Sequence, residues 1–251
     1  MGELVAATLA SFAAGFVNAI AGGGGLVSIP ILFGMFPDAA PATLFGTNKA
    51  AMVWGTIWAS GAYARRVSLP WRMLVPGIGA ALVGGSLGAW LVAQVPGGWL
   101  RLALPFMLAV VFVYTLSVHD LGRVHAPRYP PPVEAWLGML SALVLGVYDG
   151  FFGPGTGSFF IFCFVRFLGY DFLHAVASAK VLNTATNVAS LAFFAWSGDV
   201  WWTFGVPMAV ANVAGSICGA RLALAHGSRL IRWVFLAVTA ALILKSAADA
   251  Y

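Results

Sequence analysis

The sequence predicts an all-α polytopic membrane protein made of two repeats of about four apolar segments each. Each repeat opens with a glycine-broken helix, and the two halves are expected to be inverted relative to one another. Three observations predict this class. Of 251 residues, 61% are hydrophobic and 8% charged, whereas a soluble domain carries about 25% charged residues. Apolar runs of membrane-spanning length recur along the chain. The chain also matches itself at one fixed offset.

The runs fall at roughly 3–20, 41–62, 71–95, 100–118, 136–149, 173–196, 201–225 and 230–248, and a spanning helix needs about 20 mostly apolar residues. Tryptophans sit near run ends (Trp71, Trp99, Trp136, Trp201, Trp202, Trp233), as an interfacial belt would place them. The N-terminus carries Glu3 rather than a basic region, and apolar sequence continues beyond any cleavage site, so a signal peptide is not expected. The formal charge of +5 is explained by loop arginines obeying the positive-inside rule rather than by nucleic acid. Cys163 and Cys218 lie in apolar sequence without metal spacing and read as buried, inert thiols. Neither metalloprotease nor P-loop patterns occur. No metal and no cofactor is expected.

The internal match has an offset of 131, the difference between Lys180 and Lys49. It also pairs Gly15 with Gly146, Gly22 with Gly153, Trp71 with Trp202, Pro76 with Pro207, Gly84 with Gly215, Gly88 with Gly219 and Arg101 with Arg232. Residues 1–118 form repeat 1 and 136–251 repeat 2. The polar, proline-rich segment 119–135 between them reads as a linker. Arg65, Arg66 and Arg72 follow the second run of half one, whereas Arg221, Arg229 and Arg232 follow the third run of half two. Both clusters share one side of a membrane only if the halves are inverted. Inversion requires the stretches 3–36 and 136–168 to turn back, each making no net crossing or two. A parallel eight-helix arrangement is the alternative.

The glycine-broken segments are "AIAGGGGLVSIPILFG" at 19–34 and "GFFGPGTGSFF" at 150–160. A break at membrane depth is tolerated where protein or a wet cavity surrounds it. The helix restarting near Leu26 would present free N–H groups and a positive dipole end, a ready anion site. Pro154 and the glycines around it repeat the device, with Thr156 and Ser158 adding hydroxyls. Gly84/Gly88 and Gly215/Gly219 read instead as close helix-packing positions. Lys49 and Lys180 lie inside apolar runs, where a lysine is costly unless paired, hydrated or snorkelling to an interface. Thr47 and Asn48 accompany the first, and Ser178, Asn183, Thr184 and Asn187 the second. Asn183 and Asn187 share a helix face with Lys180, as ligand contacts or as interhelical glue. Asp149, whose repeat partner is Asn18, is expected to pair with Lys180, leaving Lys49 beside neutral Asn18. The midplane then sums to +2 − 1 = +1, which calls for an anionic ligand. Asp149 is a structural counterion or a carrier of a coupling proton.

These residues carry a family resemblance. "GFVNAIAGGGGLVSIPIL" with "GTNKAA", and the degenerate copy "GVYDGFFGPGTGSFFIF" with "ASAKVLNTATN", resemble the TauE/SafE sulfite exporter family, also called TSUP permeases. The resemblance implies a secondary carrier for small sulfur-containing organic or inorganic anions such as sulfite, sulfoacetate or other sulfonates. It leaves direction open. The reading that follows is an alternating-access permease, proton-coupled if Asp149 titrates, spanning a bacterial-type inner (cell) membrane, and not an enzyme. An anion channel, or a carrier for a small carboxylate such as a 2-oxo acid, is the alternative. The expected substrate contacts are Gly22, Gly23, Gly24, Gly25, Ser28, Asn48, Lys49, Gly155, Thr156, Gly157, Ser158, Lys180 and Asn183. Asn18, Thr47, Tyr148, Asp149, Ser178 and Asn187 form their polar surround. The expected partners are the anion and the lipid bilayer, not nucleic acid, with a homodimer left open.

Overall fold

A computed structural model of the chain describes residues 1–103, 106–107 and 125–226. The runs predicted at 230–248 and, for the most part, 100–118 lie outside these, as do Arg123, Arg229, Arg232 and Lys245. The described chain is helical: α1 (Gly2–Ala21), α2 (Gly24–Met35), α3 (Pro41–Ala64), α4 (Trp71–Gln94), α5 (Pro131–Phe151), α6 (Thr156–Cys163), α7 (Phe172–Ser197) and α8 (Trp202–His226). A π-helical turn, Phe164–Leu168, extends α6. Proline opens α3 and α5, where a missing N–H costs nothing. The helix α5 starts at Pro131, so the last residues of the predicted linker form its first turn. Asp171 caps α7 by accepting the His174 N–H at 3.0 Å. Burial works against its charged form, but hydrogen bonds from His174 prevail and hold its pKa below the ordinary carboxylate value.

Four helices, α1, α4, α5 and α8, are long and apolar enough to cross a membrane. Large apolar side chains such as Leu9, Trp90, Val144 and Val210 project outward from them, which suits a lipid-facing surface. The helices α3 and α7 are as long but carry Lys49, Lys180, three asparagines and several threonines, and of these all but Thr43 and Thr184 are buried. The bilayer-length apolar helices thus enclose a polar central pair.

The two halves interlock, and each contact occurs twice with the partners exchanged. Gly84 and Gly88 on α4 lie against the Leu143 and Val147 carbonyls of α5. At the shifted positions, Gly215 and Gly219 on α8 lie against the Phe12 and Phe16 carbonyls of α1. No Cβ fits at these four sites, so the packing expected of these glycines is present. Along both pairs residue numbers rise together, so α1 runs parallel to α8 and α4 parallel to α5. The equivalent helices α3 and α7 run antiparallel, because Gly46 near the start of α3 meets Phe194 at the end of α7. The core accordingly has two clusters. One holds Leu44, Phe45, Ala89, Phe194 and Val200; the other holds Tyr63, Leu74, Ala175, Val176 and Ala220. The 131-residue shift carries Leu44, Phe45 and Ala89 of the first cluster onto Ala175, Val176 and Ala220 of the second, and Tyr63 of the second onto Phe194 of the first.

Charge separates along the same axis. Arg65, Arg66, Arg72, Arg128, Arg166 and Arg221 adjoin the cluster containing Tyr63, outnumbering Glu134 and Asp171 there, while Glu3, Asp38 and Asp199 adjoin the other. The one described arginine at the acidic end, Arg101, is tied to the Phe36 and Ala39 carbonyls.

Candidate functional site

Both glycine breaks are hairpin tips, and they meet at the centre. The helix α1 ends at Gly22, whose φ of 79° is the left-handed region that favours glycine. After Gly23 the chain turns back as α2, with Gly24 against the Ala14 carbonyl of α1. It returns to the acidic end, where Phe36 meets Trp201 and Phe204 at 5.2 Å between ring centroids. In the second half Gly153 (φ 93°) and Gly155 (φ 80°) bracket Pro154. There α6 returns to the arginine end, where Tyr170 donates to Glu134 in the first turn of α5. A Cβ on Gly22 would stand 2.5 Å from the Gly157 carbonyl carbon. Ser158 Oγ donates to the Ala21 carbonyl at 2.5 Å. The glycines therefore serve three ends: a left-handed turn, tip-to-tip packing, and a helix start. That start is at Gly24 rather than near Leu26, and the first-turn N–H groups, Gly25 among them, have no partner within the helix.

The lysines cross over. Lys49 Nζ stands 2.8 Å from Asp149 Oδ2, both groups buried. Lys180 Nζ donates to the Asn18 main-chain carbonyl and approaches Asn18 Oδ1 at 3.4 Å. This corrects the expected pairing of Asp149 with Lys180. Antiparallel packing of α3 on α7 turns each lysine toward the other repeat's break, so equivalent contacts link Lys49 to Asp149 and Lys180 to Asn18. Two oxygens of the α1 C-terminus thus surround Lys180, as suits a cation at a helix C-terminus. Both lysines are buried rather than snorkelling.

A small central cavity is lined by Asn18, Gly22, Gly25, Asn48, Lys49, Met52, Asp149, Gly153, Asn183 and Asn187. About 10 Å³ is open to the centre of a water molecule, which is room for about one water. Three repeat pairs line it (Asn18/Asp149, Gly22/Gly153, Met52/Asn183), so it straddles the relation between the halves. Lys49 reaches it but Lys180 does not.

The remaining predicted residues hold the walls. Ser28 Oγ donates to Asn48 Oδ1 at 2.5 Å. Asn18 Nδ2 donates to Thr56 Oγ1 at 2.9 Å, and Asn187 Nδ2 to the Asn183 carbonyl at 2.7 Å. Tyr148 OH closes the second tip on the Pro154 carbonyl at 2.6 Å. Thr156 Oγ1 does so on the Gly153 carbonyl at 2.8 Å. Thr47 Oγ1 donates to the Thr43 carbonyl at 2.7 Å and accepts the Trp201 N–H at 2.9 Å, away from the cavity. Ser178 is buried with its hydroxyl unpaired among the described residues. Gly23, Gly24, Gly155, Gly157 and Ser158 do not line the cavity. Sequence reasoning missed two lining residues as contacts. Met52 carries no polar signal, and Gly153 was identified only as a break residue. Cys218, expected to be buried, is exposed.

With this geometry established, known proteins can be compared. The model of the family described as "Sulfite exporter TauE/SafE" matches residues 7–246. A "Probable membrane transporter protein ORF9" of Sinorhizobium sp. is 35% identical over 241 residues, 96% of this chain and 91% of its own. "Probable membrane transporter protein YfcA" of Escherichia coli (strain K12) is 37% identical over 242 residues, 95% of this chain and 87% of its own. A "Probable membrane transporter protein" of Haemophilus influenzae is 35% identical over 221 residues, 88% of this chain and 85% of its own. No solved structure matches the chain. These names describe transport, not catalysis. The chain is a multi-pass membrane protein that belongs to the TauE/SafE sulfite exporter family.

Proposed function

We propose that this protein is a secondary carrier for small sulfur-containing anions (sulfite, sulfoacetate and related sulfonates) in the inner membrane, with Lys49 and Asp149 as its anion- and proton-handling pair. The observation that carries the proposal is the buried 2.8 Å pair at the wall of the central cavity. An incoming anion competes with Asp149 for Lys49. Once its partner is taken, the Asp149 carboxylate is a buried charge without a counter-charge, and a proton bound with the anion neutralises it. Anion and proton then bind together, and linkage makes each favour the other. Asn48, Asn183, Asn187 and the Gly25 N–H provide further donors around the cavity.

Alternating access fits the arrangement. A cavity with room for one water holds no sulfonate, so the conformation described is a closed one and the substrate enters when the hairpin tips part. The antiparallel packing of α3 on α7 supports inverted repeats, with one hairpin entering from each side. The arginine distribution supports placing the end with Arg65 and Arg66 in the cytoplasm. Counterflow of labelled sulfite or sulfoacetate in liposomes holding the purified protein tests the reading. Saturable exchange competed by sulfonates supports it. Non-saturating flux without exchange would make the protein a channel, and competition by pyruvate alone would make it a carboxylate carrier.

A further inference from the structure

Outside the central site, one cluster of metal-ligating side chains stands at the arginine end. His125 in the segment between the repeats, and Asp171 and His174 at the start of α7, bring their ligand atoms within 4.8 Å of one another. Asp171 Oδ2 lies 2.5 Å from His174 Nδ1 and 3.5 Å from His125 Nδ1. The two imidazoles stack with centroids 4.0 Å apart and planes 26° apart, which holds both rings beside the carboxylate, and a small rotation of each ring would turn its nitrogen toward a shared ion. We propose that His125, Asp171 and His174 bind a divalent transition-metal ion, which clips the inter-repeat segment to the N-cap of α7.

Chemistry and geometry both favour this. Imidazole with carboxylate suits borderline ions such as Zn²⁺, Co²⁺ or Ni²⁺. In a tetrahedral zinc site with bonds of about 2.0–2.2 Å, ligand atoms stand roughly 3.4 Å apart. The His125 Nδ1–Asp171 Oδ2 separation of 3.5 Å matches that value, and the 2.5 Å contact of His174 Nδ1 with Oδ2 is a hydrogen bond that an ion would replace. The backbone presets the arrangement without a metal. Ala126 N–H donates to the Gly169 carbonyl at 2.9 Å and Arg128 N–H to the Leu168 carbonyl at 3.0 Å. Arg128 Nη1 adds a bond to the Arg166 carbonyl at 2.6 Å. Asp171 Oδ1 is fixed by its capping bond from the His174 N–H, which leaves Oδ2 aimed at the rings. Tyr170 packs beside His125 at 5.2 Å between centroids and donates to Glu134. The side chains of His125, Asp171 and His174 are 35%, 20% and 21% exposed, which admits an ion from solution and leaves a coordination position for water. The sequence concealed the site because His125 lies in a different segment from Asp171 and His174.

Full-length protein purified without a polyhistidine tag is titrated with Co²⁺, read by its visible absorption, and then with Zn²⁺ as competitor. The expected result is one Co²⁺ per chain, displaced by Zn²⁺. Removing a direct ligand in His125→Ala or His174→Gln should weaken binding by more than the roughly 10–100-fold typical of removing an outer-shell partner. His125 lies outside the helices, so its variant keeps the wild-type circular dichroism and isolates the metal effect. No Co²⁺ uptake by the wild type overturns the proposal. Equal affinity in His125→Ala also overturns it, even if His174→Gln has lost binding, because the ion would then clip nothing to α7.

Discussion

Lys49 on Asp149 and Lys180 on Asn18 are one contact made twice. Each lysine belongs to one half of the chain and each partner to the glycine break of the other half, and the 131-residue shift converts one pair of positions into the other. The chemistry of the two differs. Lys49 faces a carboxylate at 2.8 Å and lines the cavity; Lys180 faces a carbonyl and an amide oxygen and does not. The first pair has a carboxyl partner and borders the cavity, where the proposed cycle has an anion compete and the carboxyl take the proton. The second has neither, and among the described residues no carboxylate pairs with Lys180. On this account, duplication built two identical clamps and one carboxyl-for-amide difference specialised them: Lys49 handles the ligand and Lys180 latches the end of α1.

The largest expected effect comes from breaking the first clamp. Lys49→Met leaves Asp149 buried without its partner. Removing one member of a buried pair costs about 3–5 kcal/mol of stability, and the loss of a desolvated charged contact costs roughly 2–5 kcal/mol of anion affinity. Thermal unfolding and sulfite binding measure the two. In the double variant Lys49→Met/Asp149→Asn, stability returns towards wild type while anion binding stays lost.

Next comes the tip itself. Gly22→Ala meets a positive φ and a Cβ 2.5 Å from Gly157; strained backbone of this kind alone costs of order 1–3 kcal/mol. Gly25→Ala meets nothing nearer than Pro154 Cα at 3.2 Å. It should retain the fold while narrowing the cavity, so sulfite affinity falls more than the melting temperature. A Gly22→Ala protein as stable as Gly25→Ala would show that the tips do not hold the halves together.

Asn18→Asp gives both clamps a carboxylate. Lys180 acquires an ion pair, and the cavity wall, which Asn18 helps to form, gains a second carboxylate facing the anion. Anion affinity should fall by about tenfold, or ~1.4 kcal/mol. Unchanged affinity would show that a second carboxylate at the cavity wall does not repel the anion. The smallest effect is expected for Lys180→Met, which loses a latch but no ligand contact. Its affinity for sulfite should stay within about threefold, roughly 0.7 kcal/mol, of wild type. A loss as deep as that of Lys49→Met would return Lys180 to the binding site.

Most of the fold was legible because membrane helices announce themselves locally. The ends of α3, α4, α7 and α8 fall within a few residues of their apolar runs, and lysine, tryptophan and proline are scarce enough to make the 131-residue match stand out. Candidate residues were legible by the same scarcity: Lys49, Asp149, Asn18, Asn48, Asn183 and Asn187 all reach the cavity. Which lysine faces Asp149 was not, because sequence places Asp149 and Lys180 in the same half, whereas helix packing exchanges partners between halves. The split among the glycines was hidden for a related reason. Gly22 and Gly25 reach the cavity and Gly157 does not, and that depends on how the two tips abut, which no local pattern records.

The central claim, that Asp149 carries the coupling proton because an anion displaces it from Lys49, is tested most directly in Asp149→Asn. Asparagine is the natural residue at the equivalent Asn18, so the fold is expected to tolerate it. Proteoliposomes holding the wild type or the variant are given the same pH gradient, and accumulation of labelled sulfoacetate is followed beside its binding to the purified proteins. The account predicts that Asp149→Asn binds the anion at least as tightly as the wild type but no longer accumulates it against a gradient. Wild-type accumulation by Asp149→Asn would contradict it.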